Sequence, residues 1–252
     1  MTDLSRRRLI KAGLAAATGF AGLGVAAGLA KNYGLIPPDH GGIWGAGETL
    51  NYASYRLLTN HSMAREFSRS EISTKPLANE IPPLSDAFKK LQAGGFADWR
   101  LTVDGMVDRP GMFSLEQLKS YPSRSQITQL ACEEGWSYVA EWTGVPLAHV
   151  LEVAGIKRQA KYVVYFSIDP EWCDSIDMGD ALHPQTYLAY GMNGGDLSVG
   201  NGGPLRMRVP RQLGYKNVKF ITRLAVTDDL RKFGKGLGSA SPEGGYAWFA
   251  GI

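Results

Sequence analysis

The stretch Trp99-Arg100-Leu101-Thr102-Val103 alternates apolar and polar residues and stops at Asp104-Gly105, which predicts a half-buried strand closed by a turn. Ser114, followed three residues later by Gln117, has the form of a capping box and predicts a short helix carrying Leu115 and Leu118. A clearer helix starts at Pro146: Leu147, Val150, Leu151 and Ala154 share one face at helical spacing, and Gly155 can close it. Tyr162 to Phe166 and Thr186 to Tyr190 are runs of aromatic and aliphatic residues that predict two more strands, the second ending near Asn193-Gly194. Leu205-Arg206-Met207-Arg208-Val209 alternates strictly, so Leu205, Met207 and Val209 should face a core while Arg206 and Arg208 face the other side. Val218 to Thr227 predicts a further strand.

Strands predominate and short helices intervene without a regular βαβ repeat, so a mixed α+β domain over residues 95–252 is the expected fold class. Residues 31–94 read as an arm packing on that domain, because Pro37-Pro38, Gly41-Gly42, Gly45 and Pro82-Pro83 break it before a long periodic segment develops. The glycine-rich, aromatic stretch Gly234 to Ile252 is expected to wrap the surface. With 252 residues, 44% hydrophobic and 20% charged, the chain can bury a sizeable core without disulfide staples, which excludes disorder throughout.

Residues 1–30 form a separate unit. Ser5-Arg6-Arg7-Arg8-Leu9-Ile10-Lys11 precedes an uncharged run from Ala12 to Ala30, the order of an export signal, and the paired arginines resemble the twin-arginine signal that carries proteins already folded around a cofactor. This predicts a periplasmic protein cut near Ala27 to Ala30; the alternative is a retained anchor, since roughly 18 to 20 apolar residues just suffice to span a bilayer. Arg6, Arg7, Arg8 and Lys11 against Asp3 give this unit the whole +3 of the chain, so the remainder is near neutral and nothing supports a nucleic-acid surface.

Only Cys132 and Cys173 are present, and with no CxxC pair and no HExxH a zinc site has no support. Cys132 stands at the end of a strand-like stretch, in Leu130-Ala131-Cys132-Glu133-Glu134-Gly135-Trp136-Ser137, where it is either a buried core cysteine or a group aimed into a cleft. His149 would be its partner in a nucleophilic pair, although that residue lies inside the helix after Pro146. Gly200-Asn201-Gly202-Gly203-Pro204-Leu205-Arg206 and Gly214-Tyr215-Lys216-Asn217-Val218-Lys219 allow two readings. Backbone amides with Arg206 and Lys219 form a phosphate cradle, or a hairpin loop carries two solvated bases.

Five ordered segments resemble the molybdopterin-binding domain of the sulfite oxidase family, and within it the bacterial periplasmic methionine sulfoxide reductases. They are Cys132 to Ser137 with Trp142-Thr143-Gly144-Val145-Pro146-Leu147, then Leu188-Ala189-Tyr190-Gly191-Met192-Asn193-Gly194, Asn201 to Arg206, Val209-Pro210, and Gly214 to Lys219. The resemblance runs from about Trp99 to Thr227 and implies a molybdenum-molybdopterin cofactor. It carries the metal-ligating cysteine onto Cys132 and the pterin contacts onto Ser167, Asn201, Arg206, Asn217, Val218 and Lys219, with Asn60 in the arm as a further contact. A thiolate beside the two pterin sulfurs suits a redox metal. Cys173 has no counterpart in the family's pattern and reads as structural.

The implied activity is a two-electron oxygen-atom transfer, most simply the reduction of a small or protein-bound S-oxide such as methionine sulfoxide. Sulfite oxidation on the same site and a cofactor-free ligand-binding protein are the alternatives. Sulfite oxidases surround the metal with arginines to hold a dianion, whereas Glu133 and Glu134 follow Cys132 here, which argues against sulfite. The chain holds no haem-binding CxxCH and lacks room for an added dimerisation domain, so the expectation is a monomeric catalytic subunit fed by a separate electron-transfer partner, by analogy a membrane haem protein. Trp136 and Trp172 are candidate pocket walls, and His183 a candidate proton carrier.

Overall fold

A computed structural model describes Ala30 and residues 34–78, 85–168 and 172–252; the leader, apart from Ala30, and Pro82-Pro83 lie outside the described residues. The first sheet has the order β2 (Gly111–Ser114), β1 (Arg100–Gly105), β10 (Ile221–Thr227), β5 (Tyr162–Ser167), β6 (Cys173–Asp177), with β1 and β10 parallel and the other neighbours antiparallel. The second runs β3 (Arg124–Ala131), β4 (Ser137–Pro146), β7 (Tyr187–Met192), β8 (Gly195–Asp196), and β9 (Arg206–Arg208) also pairs with β7. Among the described residues, five short helices complete this mixed α+β fold: α1 (Ala46–Leu58), α2 (Asp86–Ala93), α3 (Leu115–Ser120), α4 (Leu147–Ala154) and α5 (Met178–Ala181).

Local chemistry explains the elements read from the sequence. The Ser114 hydroxyl accepts from the Gln117 amide and starts α3. Helix α4 buries Leu147, Val150, Leu151 and Ala154 and ends at Gly155, whose φ of 71° would strain a side-chain-bearing residue. The apolar faces meet in one large cluster that joins Leu101 and Val103 of β1, Val163 and Tyr165 of β5, Leu188 of β7, Leu205, Met207 and Val209, and the α4 stripe. A second cluster covers the opposite face of the second sheet, with Leu130, Tyr138, Trp142, Tyr187 and Ala189. The third covers the opposite face of the first sheet, where Val164 and Ala225 meet Tyr52, Trp248 and Phe249.

Three expectations need correction. The arm was expected to lack a long periodic segment, yet it contains the 13-residue α1 and also α2. The strand expected from Val218 begins only at Ile221, because residues before it follow a tight turn at Gly214–Lys216 and Phe220 takes a φ of 58°. The stretch from Gly234 to Ile252 does not merely wrap the surface: Trp248, Phe249 and Ala250 are buried, and the Phe249 amide donates to Glu48 Oε1 of α1 at 2.9 Å. Further along, Phe67 donates its amide to Ile127 and Ser73 its amide to Val139, so this segment lies along β3 and β4.

Candidate active site

The alternation of β9 sends Arg206 and Arg208 away from the large cluster, but the face they occupy is not solvent. It is closed by the second cluster, and both guanidinium groups sit over the Trp142 ring, 5.5 and 4.5 Å from its centroid. Arg206 donates to the carbonyls of Asn217 and Asn201 at 2.9 and 3.0 Å. Arg208 donates to Asn217 Oδ1 at 2.7 Å, Thr128 Oγ1 at 3.0 Å and the Gln129 carbonyl at 3.2 Å. Neither has a carboxylate partner among the described residues. Burial pulls both below the ordinary arginine range, Arg206 to about 10, with Arg208 itself adding repulsion at Arg206. Two buried charges without a counter-charge are costly, and an anion bound beside them removes that cost.

The glycine-rich loop brings a third cation to the same place. Gly202 takes a φ of 101°, and a Cβ there would fall 2.7 Å from Lys219 Cγ, so only glycine lets the lysine stem lie against the loop. Lys219 Nζ donates to the Gly200 carbonyl at 2.8 Å, and burial, then Arg206, lower its pKa to about 8. Asn201 donates to Ser198 Oγ at 3.0 Å, while its buried Oδ1 has no partner. Arg208 Nε, Gln126 Oε1 and Trp142 Nε1 are likewise buried without partners, and the buried Tyr187 hydroxyl lies against Arg208 and Thr128. Their positions converge: Gln126 faces Trp142 across β3 and β4, and Tyr187 faces Arg208 across β7 and β9. Other unsatisfied atoms lie elsewhere, such as Glu48 Oε2 and Trp99 Nε1, but those beside the two arginines fit a bound polar group.

Cys132 follows the last residue of β3 and holds a tight turn, donating its amide to Trp136 at 2.8 Å and accepting from Gly135 at 3.1 Å. The half-buried thiol points at Glu133 Oε2, 3.3 Å away, with Glu134 Oε2 at 3.7 Å. Burial, followed by these two carboxylates, pushes the thiol up to about 12. Trp136 donates to Glu134 Oε2 at 2.7 Å and stacks on Tyr138, and Tyr138 and Cys132 both act electrostatically on Arg206, which brings the thiol into the neighbourhood of the cations.

The other expected site residues are distributed as follows. Asn217 commits its whole side chain internally, accepting from Arg208 and the Val209 amide and donating to the Leu213 carbonyl at 2.9 Å. Val218 is buried and its carbonyl accepts from the Met207 amide. Ser167 ends β5, with its amide donating to Trp172. Asn60 stands at the end of α1, where its Oδ1 accepts from Arg56 and its carbonyl from Arg211, one step away through Gln212 and Asn217. The His149 ring packs edge-on to Tyr121 at 5.0 Å, while the Cys132 thiol is engaged by Glu133 and Glu134, so the nucleophilic pair is not assembled. His183 accepts at Nδ1 from the Gln185 amide and lies against the Ser62 backbone, and burial, then Arg211, lowers it to about 4. Such an imidazole stays neutral and is a poor proton carrier near pH 7. Trp172 is exposed, whereas Trp136 is half-buried beside the thiol.

These donors fit a group that carries both an anion and a thiophilic metal. Residues 89–232 match the family model described as the oxidoreductase molybdopterin-binding domain. The chain belongs to this family. The matched span contains every expected site residue except Asn60. Among curated relatives of this molybdopterin oxidoreductase, a provisionally named protein-methionine-sulfoxide reductase subunit YedZ1 of Azospira oryzae is 39% identical over 155 residues, covering 62% of this chain and 56% of the relative. The protein-methionine-sulfoxide reductase catalytic subunits MsrP of Xanthomonas axonopodis pv. citri and Xanthomonas campestris pv. campestris are 34% and 33% identical, each covering 58% of this chain and 50% of the relative. The chain thus spans about half the length of the curated relatives it matches. Among solved structures, the sulfane dehydrogenase SoxCD of Paracoccus pantotrophus shares the fold, with a TM-score of 0.51 and 23% identity over 68% of this chain and 46% of that one.

Sequence reasoning missed Arg208, Tyr138, Trp142, Gln126 and Tyr187 as neighbours of the site. A signal existed for Arg208, because the two-residue period that turned Arg206 outward turned Arg208 with it.

Proposed function

We propose that this chain is the catalytic part of an exported molybdopterin oxidoreductase that transfers an oxygen atom and two electrons, reducing an S-oxide such as methionine sulfoxide. The observation that carries the reading is the burial of Arg206 and Arg208 without a carboxylate beside a half-buried thiol. Arg206, Lys219 and Asn201 would hold the pterin phosphate, with Arg208 setting the position of Asn217 and, through its carbonyl, of Arg206. Cys132 would ligate molybdenum as a thiolate, and because burial and the two glutamates keep the free thiol protonated, its proton leaves on binding. When bound, the molybdenum centre supplies the two-electron redox chemistry of oxygen-atom transfer.

Glu133 and Glu134 present negative charge next to the thiol, which repels a sulfite dianion and tolerates a neutral S-oxide. Trp136, stacked on Tyr138 and tied to Glu134, offers a flat apolar wall for the substrate. The names of the relatives favour the same substrate class, and the subunit names favour a separate electron-transfer partner, by analogy a membrane haem protein. Export to the periplasm through the twin-arginine leader, cleaved or retained, completes the reading.

The test is metal analysis of protein produced in a molybdenum-competent host, followed by parallel assays of methionine sulfoxide reduction with a dye donor and of sulfite oxidation. Near-stoichiometric molybdenum that is lost in Cys132→Ser, with turnover of the sulfoxide, is expected. Folded protein without molybdenum refutes the cofactor, and preferential sulfite turnover reverses the substrate.

A further inference from the structure

Helix α1 is turned inside out in polarity. A helix on a protein surface ordinarily sends charged residues to water and apolar ones to the core. The charged residues of α1, Glu48 and Arg56, instead point inward: Glu48 is buried under the Phe249 amide, and Arg56 is held by Asp177 and Asp180. Outward stand Leu50, 67% exposed, and Leu58, 70% exposed, together with Ala46, Gly47 and the uncharged polar Asn51 and Ser54. The turn before the helix adds Ile43 and Trp44, 74% and 60% exposed, with the indole N–H donating to the Gly245 carbonyl. Met63 and Ile252 are exposed too, across a cleft of about 340 Å³ that Asn51 and Tyr55 also line. From His40 to Ala64 no Asp, Glu, Lys or Arg side chain is exposed.

An apolar, charge-free strip this long is unusual on a protein bathed in water, and it calls for a cover. Its length is that of the helix, about 20 Å, plus the turn. Two features say what the cover is. In the retained-anchor reading of the leader, the uncharged run Ala12 to Ala30 ends 13 residues before Ile43, a tether of at most about 45 Å, so a bilayer that receives this run lies within reach of the face. Between His40 and Ala64 the exposed polar residues, among them Asn51, Ser54 and Ser62, include no Asp, Glu, Lys or Arg, so the strip offers a protein partner no ion pair along its length. A tryptophan at one end, its apolar ring exposed and its N–H satisfied, suits the boundary between headgroups and acyl chains.

We propose that the turn at Ile43-Trp44 and the outer face of α1 lie on a lipid bilayer, with Trp44, Leu50 and Leu58 entering the headgroup and acyl boundary. The inference does not depend on the cofactor. The absence of exposed Lys and Arg from His40 to Ala64 makes the contact apolar rather than electrostatic, so it requires neither anionic lipid nor low salt.

The full chain is mixed with phosphatidylcholine vesicles, plain or brominated on the acyl chains, and tryptophan emission is compared with that of Trp44→Phe. Bromine should quench a component of the wild-type emission that Trp44→Phe lacks, to the same extent at high salt and with added phosphatidylserine. A Leu50→Glu, Leu58→Glu double variant should lose that component while keeping its unfolding midpoint, since both side chains are exposed, and should still float with vesicles if the run from Ala12 to Ala30 holds it there. Equal quenching in wild type and Trp44→Phe overturns the proposal, whether the true cover is a protein partner, a second copy or residues 12–30. Quenching that appears only with anionic lipid overturns its apolar basis.

Discussion

Two pairs of buried arginines are treated in opposite ways. Arg56 and Arg211 are balanced by Asp177 and Asp180: Arg56 Nη2 lies 2.5 Å from Asp177 and 2.9 Å from Asp180, Gln212 donates to Asp180 at 2.6 Å, and the Tyr52 hydroxyl donates to Asp177 at 2.7 Å. Lys216, fully buried, follows the same rule with Asp174. Arg206 and Arg208 have no carboxylate among the described residues, only carbonyls, an amide oxygen and hydroxyls. Burial works against the charge in both pairs, but the aspartates hold Arg56 above its ordinary range while Arg206 falls below its own. Balanced charge holds a structural network, and the unbalanced pair is where the proposed cofactor's anion fits.

The contrast breaks first at Asp180. Asp180→Ala strands Arg211 and Gln212 and leaves Arg56 with Asp177 alone, and the urea unfolding midpoint should report a loss of about 3–5 kcal/mol. Arg206→Gln should leave the cofactor-free protein within about 1 kcal/mol of wild type, because it removes a buried charge that nothing neutralises. The same variant should retain the cofactor less well by about 1.5–3 kcal/mol, read as pterin content after dialysis. If cofactor-free Arg206→Gln unfolds as readily as Asp180→Ala, the two pairs are not different in kind.

A pH experiment sharpens the comparison. Lys219 titrates at about 8 in the folded protein against an ordinary 10.5, so between those values the unfolded chain binds more protons and the cofactor-free protein gains stability as pH rises. Anion binding moves the other way, because the ammonium is lost above about pH 8. The stabilisation by sulfate, whose charge is constant over this range, should therefore shrink by roughly 1.5 kcal/mol from pH 7 to 9.5, and Lys219→Met should remove that difference. The smallest effect belongs to His149→Ala, which loses an edge contact with Tyr121 worth about 1 kcal/mol and should leave molybdenum content and turnover unchanged.

What the sequence made legible follows from how local each signal is. Helix α4, the start of α3 and strands β1, β5 and β7 declare themselves through the spacing of their own residues, and they lie where that spacing puts them. Helix α1 was missed because its outward positions are Leu50 and Leu58 and its inward ones Glu48 and Arg56, the reverse of the pattern that identifies a surface helix. In the site, Cys132 and the loop from Asn201 to Lys219 were found through a resemblance, since residues so far apart in the chain carry no local sign of meeting. The second cluster over Trp142 was not foreseeable from β9 alone: alternation says that Arg206 and Arg208 share a face, but not that Tyr138, Trp142 and Tyr187 close it.

The alternation of β9 also makes its register on β7 a matter of parity. A slip of one residue would exchange the two faces, driving both guanidiniums into the aliphatic cluster and presenting Leu205 and Met207 to the site. The pairing of Leu188 with Met207, and not the length of the loop before it, therefore holds the two cations where they are, and an inserted loop residue is tolerated as long as that pairing survives.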